Sequence, residues 1–243
     1  IRDAMIERRF GDAGTHLVLE ECLTGPEVSY FVITDGTKFV SLPSAQDHKR
    51  VFDDDLGPNT GGMGAFAPSP LLTSEVEQFV IENIVGPTIN GMRQEGYEYR
   101  GVLYIGLMLT DEGPKVIEFN VRFGDPEAQI ILPMIESELA PVLLAAAKGH
   151  LGEVDWRLRT EPHVGVVMAS GGYPGKHETG FPIAGLDRAE KIAGVQVVHA
   201  GTAVKDEDMV TNGGRVLTVV ASGASFALAI ERAYDGVGHI SFE

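Results

Sequence analysis

Short apolar runs separated by turn residues mark the early part of the chain. Residues 17–23, 28–34 and 38–43 read as three short strands, joined by turns at Thr24-Gly25-Pro26 and Asp35-Gly36, which predicts a meander. A helical period follows. Ser74, with Glu77 three residues on, forms a capping box ahead of Val76, Phe79, Val80 and Ile84, and so predicts a helix. Pro87 falls in the continuation of that helix and should kink or divide it, because it lacks an amide hydrogen and crowds the preceding turn. Residues 101–109 and 114–119 predict paired strands around Asp111-Glu112-Gly113. Behind Asp125, Pro126 predicts the first position of a helical segment carrying Ile130, Ile131 and Met134 and ending near Gly149.

Polar and charged residues across 152–162 mark a boundary, so we expect two domains, residues 1–155 and 156–243. The second contains strands at 164–169, 195–200 and 215–221, with turns at Gly171-Gly172-Tyr173-Pro174-Gly175 and Asn212-Gly213-Gly214. A helix from Ser225, with the stripe Phe226, Ala229, Ile230 and Ala233, follows, and a last strand signal runs over 239–242. The fold class is α+β, an antiparallel sheet with helices followed by a smaller mixed α/β domain.

A net charge of −16 argues against a nucleic-acid surface but permits a local positive pocket for one small anion. No apolar run reaches the roughly 18 residues that span a bilayer, and no signal-peptide core is present, so no membrane partner is expected and the reading is cytoplasmic. The single cysteine, Cys22, lies in an apolar run and reads as a buried thiol in a reducing compartment. The chain opens at Ile1 on a charged, helix-like stretch, which reads as a fragment of a longer protein.

Candidate chemistry concentrates in three runs. In an extended strand Glu118 and Asn120 share one face, with Ile117, Phe119 and Val121 expected on an opposite, buried one. A carboxylate and an amide carbonyl are hard oxygen ligands of the kind magnesium takes alongside water and phosphate. Arg122 offers a planar donor fork for a carboxylate or phosphate, or an exposed ion pair; Asp125 can accept from an ammonium or cap the next helix. Gln46-Asp47-His48-Lys49-Arg50 precedes a glycine-rich stretch, residues 57–64, whose N–H groups can face inward around an anion while Lys49 or Arg50 offsets its charge. It is neither a Walker A loop nor a dinucleotide fingerprint. His48 reads as a structural or substrate-orienting group ahead of a proton carrier. Glu20, Glu21 and Glu27 either border a nucleotide, with backbone groups from Glu21 through Cys22 to Leu23 on the adenine edge, or solvate a free edge. The remaining histidines show no metal-ligand spacing.

Together these runs, with Gly165-Val166-Val167-Met168-Ala169-Ser170-Gly171-Gly172-Tyr173-Pro174-Gly175 and Thr211-Asn212-Gly213-Gly214-Arg215, closely resemble the phosphoribosylamine–glycine ligase family. The resemblance implies the later part of an ATP-grasp domain and its C-terminal domain, in an enzyme of de novo purine synthesis. It implies magnesium, or manganese, on Glu118 and Asn120, and ATP as cosubstrate with its adenosine near Glu20, Glu21, Cys22, Leu23 and Glu27. It places Arg122, Gly124 and Asp125 near glycine or 5-phosphoribosylamine, with Arg122 and Asp125 as catalytic side chains. Asp47, Lys49, Asn59, Thr60, Gly61, Gly62 and Gly64 approach 5-phosphoribosylamine. Related enzymes often carry a further metal carboxylate on the preceding strand; here Gly106-Leu107-Met108 is apolar. The upstream ligase region is an expected partner, the parent enzyme is expected to be monomeric, and the chain alone is expected to bind ATP poorly. Another ATP-grasp carboxylate–amine ligase, or a noncatalytic nucleotide-binding fragment, are the competing readings.

Overall fold

The computed structural model describes residues 1–242. After two short helical turns, Arg2–Ile6 and Gly11–Thr15, come strands β1 (Glu27–Thr34), β2 (Phe39–Ser41), β3 (Gln46–Asp47), β4 (Arg50–Phe52), β5 (Leu56–Asn59) and β6 (Gly64–Ala67). Helices α1 (Ser74–Val80) and α2 (Gly86–Gln94) lead to the hairpin β7 (Gly101–Thr110) and β8 (Gly113–Asn120), then to α3 (Glu127–Ile131) and α4 (Leu139–Lys148). The remainder runs β9 (His163–Ala169), α5 (Leu186–Ala189), β10 (Val195–His199), β11 (Thr202–Lys205), β12 (Asp208–Thr211), β13 (Arg215–Ser222) and α6 (Phe226–His239).

One antiparallel sheet has the order β2-β1-β7-β8. Its central strand β1 is buried almost throughout because both faces are covered, which is why it reads as a continuous apolar run. Tyr30 and Val32 pack with Val80, Ile84, Val85 and Ile89 of the helices, whereas Phe31 and Ile33 join Ile130, Ile131 and Met134. The second sheet, β10-β13-β9-β6-β3, joins strands from both sides of the 155/156 line. Gly64 permits the β6–β9 approach, since a Cβ there would sit 2.6 Å from the Gly165 carbonyl oxygen. Helix α6 closes this sheet through Ala229 and Ala233, and Ser225 caps it as expected, its hydroxyl accepting from the Leu228 N–H at 3.3 Å.

Several local expectations give way to tertiary context. Residues 17–23 form no strand: β1 is already flanked by β2 and β7, so its ladder has no free side. They run extended and mostly exposed, and Cys22 is therefore an exposed thiol, not a buried one. The meander is accordingly a β1–β2 hairpin whose other neighbour is β7. Thr73, not Ser74, caps α1, its hydroxyl accepting from the Val76 N–H at 3.3 Å. Glu77 instead accepts from the Tyr30 hydroxyl at 3.1 Å. Pro87 divides the helix as expected, behind one widened turn (Ile81–Val85) in which the Gly86 N–H reaches back to the Ile81 oxygen. Pro126 lies just outside α3, and the helical segment breaks at Ile135, which bridges to Leu158, before α4 ends at left-handed Gly149. The 239–242 signal yields only a bridge between Ser241 and Ala184, because α6 continues to His239.

Asp35, 2% exposed, pins the β1–β2 turn to the segment after α4. Its Oδ1 accepts from the Thr37 N–H (2.9 Å), the Lys38 N–H (2.7 Å) and the Thr37 hydroxyl (2.8 Å), and its Oδ2 accepts from the Leu151 N–H at 3.0 Å. Burial opposes the charge, but these donors outweigh it and hold the carboxyl down at about 2.

Candidate active site

Glu118 and Asn120 stand on one face of β8, as alternation requires, opposite Gly106 and Tyr104 of β7. Gly106 leaves room for the Glu118 stem: a Cβ on it would lie 3.1 Å from Glu118 Cγ. The other half of the expectation fails. Ile117, Phe119 and Val121 are 42%, 47% and 74% exposed, because β8 is an edge strand and a register shift opposite Gly106 and Leu107 disrupts its pleat.

This face opens on a polar cavity of about 120 Å³ that gathers Glu118, Asn120, Arg122, Gly124 and Asp125. From the other side Asp47, Lys49 and Gly61 enter it, so residues up to 80 positions apart, from Asp47 to Glu127, share one small volume. Glu118 Oε1 accepts from Asn120 Nδ2 at 2.9 Å, and Asn120 Oδ1 accepts from Arg122 Nη2 at 3.4 Å. Arg122 is exposed and donates through Nη1 to the Phe123 carbonyl at 2.8 Å, which leaves donors of its fork turned to solvent. Asp125 does not cap the next helix, whose N-cap position is Pro126. Its carboxylate pairs with Arg215 at 3.0 Å and accepts from Gln129 Nε2 at 2.8 Å.

The floor of the cavity contains groups whose chemistry the sequence motifs do not specify. Glu127, 4% exposed, accepts from the Ser29 hydroxyl at 3.1 Å, and that hydroxyl lies 3.1 Å from Tyr104 Oη. Lys49 pairs with Glu27 and lies 4.0 Å from Asp47 Oδ1. Burial, and then the neighbouring Asp47 charge, raises the Glu127 carboxyl. Burial also raises Asp47, more than Lys49 lowers it. Burial works against the Lys49 ammonium, yet its bond to Glu27 and the Asp47 charge outweigh it and hold the group above the ordinary lysine range. Tyr104 is pushed up to about 12, first by burial. A carboxyl raised in the fold destabilises it wherever it is charged, and the penalty disappears as pH falls through the folded value. Glu127→Gln is therefore expected to raise Tm at pH 7, with the gain shrinking towards pH 4. Calorimetry showing a lower Tm at pH 7 would contradict the charge penalty.

The glycine-rich stretch is shorter than expected. Its first half is β5, paired with β4, and Arg50 is used within this hairpin, donating to the Gly57 carbonyl at 2.7 Å. Asn59 is exposed on β5 and does not line the cavity; Gly64 faces β9 beside a separate apolar cavity of about 430 Å³ that also contains His48 and Phe66. In the 60–63 turn every amide has a protein acceptor. Thr60 donates to the Lys49 carbonyl (2.7 Å), Gly61 to the Tyr173 hydroxyl (3.0 Å), Gly62 to the Thr60 hydroxyl (3.0 Å) and Met63 to the His48 carbonyl (2.8 Å). The inward-facing row of free N–H groups is thus absent, since these acceptors satisfy it.

A second cavity, about 420 Å³, is bordered by Glu20, Glu21, Leu23 and Glu27 together with Met108 and Lys115. Cys22 is not part of its wall. Lys115 lies 3.4 Å from Glu21 and 2.8 Å from Glu112. The Glu27–Lys49 ion pair joins a wall of this cavity to a wall of the polar one.

For a divalent cation the fit rests on Glu118 and Asn120. They are within one hydrogen bond of each other, close enough to ligate one ion, and both are oxygen donors open to the cavity. Among the described residues no cluster of three or more His, Cys, Asp or Glu has metal-binding geometry, so the pair suits an ion that takes most of its shell from water and phosphate. Sequence reasoning assigned no role to Ser29, Tyr104, Lys115, Glu127, Tyr173 or Arg215. Tyr173 and Arg215 stand inside the quoted runs, but nothing local marks their role, because their partners lie more than 85 residues away.

Comparison with known proteins identifies the family. Residues 1–128 match the family model described as Phosphoribosylglycinamide synthetase, ATP-grasp (A) domain, and residues 163–243 match its C domain. The chain is 50% identical over 242 residues to the chloroplastic phosphoribosylamine–glycine ligase of Arabidopsis thaliana, covering 98% of this chain and 46% of that protein. It is 48% identical to the trifunctional purine biosynthetic protein adenosine-3 of Gallus gallus, covering 100% of this chain and 24% of that one. The crystal structure of phosphoribosylamine–glycine ligase from Thermotoga maritima superposes with a TM-score of 0.79 at 38% identity, over 92% of this chain and 55% of that one. The chain thus spans about half the length of these single-function relatives.

Proposed function

We propose, since this chain belongs to the phosphoribosylamine–glycine ligase family, that the full-length polypeptide joins glycine to 5-phosphoribosylamine while converting ATP to ADP and phosphate. The observation that carries the reading is the convergence of Asp47, Lys49, Glu118, Asn120, Arg122 and Asp125 on one polar cavity joined by an ion pair to a second, larger one.

A glycine carboxylate oxygen attacks the γ-phosphorus of ATP, ADP leaves, and glycyl phosphate forms. The amine of 5-phosphoribosylamine then attacks the glycyl carbonyl carbon; phosphate leaves and the nitrogen loses a proton. No side-chain nucleophile is needed, so the protein's work is placement, charge compensation and exclusion of water from the acyl phosphate. Glu118 and Asn120 hold Mg²⁺ or Mn²⁺, which neutralises phosphate charge when bound. Glu20, Glu21, Leu23 and Glu27 border adenosine, with the Cys22 backbone between them. Arg122 turns its open donors to an anionic reactant. Asp47 and Lys49 border 5-phosphoribosylamine, with Gly61 at the rim; Gly124 lets Glu127 approach the cavity wall, because a Cβ on it would collide with the Glu127 carboxylate. Residues 1–155 supply most of this site and residues 156–243 a C-terminal unit.

We place the enzyme in the cytoplasm, a reading supported by a sequence whose single cysteine can form no internal disulfide, and among the described residues no helix is long and apolar enough to cross a membrane. We read the parent as a monomer that contains the upstream ligase region within the same polypeptide. The test is ADP release by the full-length polypeptide with each reactant omitted in turn. Sustained, multiple-turnover release is expected only when glycine and 5-phosphoribosylamine are both present, with a product mass equal to glycinamide ribonucleotide. Equal turnover with another carboxylate or amine would assign the site to a different ligation.

A further inference from the structure

We propose that Arg215 and Tyr173, both from the C-terminal unit, are positioning residues that hold the 60–63 turn and Asp125 against the polar cavity. The proposal rests on the reading that this cavity takes the ligase reactants. Arg215 Nη1 donates to the Gly61 carbonyl at 2.6 Å and the Asp125 carbonyl at 3.0 Å, with a longer contact of 3.4 Å to the Gly62 carbonyl. Its Nη2 donates to Asp125 Oδ2 at 3.0 Å. One guanidinium therefore ties together two segments that enter the cavity from opposite sides, using the planar fork that lysine lacks. The Tyr173 hydroxyl accepts from the Gly61 N–H, so Gly61 is gripped by Tyr173 at its amide and by Arg215 at its carbonyl.

The packing around this latch is built for it. A Cβ on Gly61 would stand 2.9 Å from Arg215 Cζ, and one on Gly62, at φ +108°, would stand 2.5 Å from Pro126 Cδ. Gly214 plays the same part for the tyrosine, since a Cβ there would overlap the Tyr173 ring. Strand β13 has a register shift between Arg215 and Leu217, opposite Ala169 and Met168, and a bulge of this kind re-aims a side chain at the end of a strand. Arg215 is only 21% exposed although its partners Gly61 and Asp125 are both exposed. The arginine end of the pair is thus shielded, whereas the Asp125 carboxylate is 54% exposed, so the latch rests on the bonds to backbone carbonyls more than on the charge pair. A glycine-containing turn has many conformations to lose on ordering, and the latch removes them before any reactant arrives.

Hydrogen exchange read by mass spectrometry on this 243-residue chain tests the latch without any turnover. Arg215→Ala, Arg215→Lys and Tyr173→Phe are compared with the parent chain. Exchange of the 60–63 amides is expected to accelerate about tenfold or more in Arg215→Ala, less in Arg215→Lys, and chiefly at Gly61 in Tyr173→Phe. Amides of β9 and β13 should be unchanged, which separates loss of the latch from loss of the fold. Should Arg215→Ala fail to fold, Arg215→Lys and Tyr173→Phe carry the same comparison. Unchanged exchange at 60–63 in the folded variants would overturn the proposal. In the full-length enzyme, Arg215→Lys is expected to raise KM for 5-phosphoribosylamine about tenfold with KM for ATP unchanged. Faster exchange with an unaltered KM for 5-phosphoribosylamine would leave a structural latch and refute its positioning role. Absence of 5-phosphoribosylamine-dependent turnover in the parent enzyme would instead sink the assignment of the reactants.

Discussion

Glu118→Ala in the full-length ligase is expected to lower turnover by about 10²–10³-fold while leaving the fold intact. Glu118 is exposed on an edge strand, its side chain is bonded only to Asn120, and substitution at such a position ordinarily changes stability by no more than about 0.5 kcal/mol. The same carboxylate is half of the Glu118–Asn120 pair on the cavity wall where triphosphate charge would collect, and among the described residues no group of three or more His, Cys, Asp or Glu forms an alternative metal cluster. Steady-state kinetics at saturating substrates, with magnesium varied, and a thermal melt of the same sample give the two readouts. A variant with normal kcat at ordinary magnesium would remove Glu118 from the reaction centre. A drop in Tm as large as that of a core substitution would show that its role is architectural.

Asp35→Ala is expected to destabilise the protein by about 3 kcal/mol or more, measured as the shift in urea-unfolding free energy. Four donors lose their acceptor at a site that is 2% exposed, and the link between the β1–β2 turn and Leu151 is cut. The pH dependence has a definite sign. The folded carboxyl sits at about 2 against an ordinary 3.8, so its stabilisation is complete above about pH 4 and is lost as pH falls through 2. The difference between wild type and Asp35→Ala should therefore be full at neutral pH and diminish in acid. Asp35→Asn, which retains the shape and one acceptor oxygen, is expected to fall between them. Identical unfolding curves for wild type and Asp35→Ala at pH 7 would show that the four bonds contribute nothing net.

Legibility in the sequence followed the range of the interaction that decided each feature. The β7–β8 hairpin, the break at Pro87, the Ser225 cap and the turn at Gly149 depend on neighbours a few residues away, and all are visible in spacing and residue type. Glu118 and Asn120 share a face for the same reason, since alternation is a property of the strand itself. Residues 17–23 show why pattern alone is insufficient: an apolar run makes a strand possible, but a strand needs a partner with unpaired backbone groups, and β1 had none left. Exposure of Cys22 follows from that vacancy.

Local covalent order thus determined which segments extend or coil, which side chains share a face, and, through the joint motifs, the family to which the chain belongs. Only the folded structure decided that the amides of the 60–63 turn are already satisfied, that Lys49 faces Glu27, that Glu127 is buried, and that Arg215 ties Asp125 to Gly61. The physical reason is separation along the chain. A contact between residues 90 or 154 positions apart leaves no periodic trace in either segment, and becomes definite only when packing brings their donors and acceptors within about 3 Å.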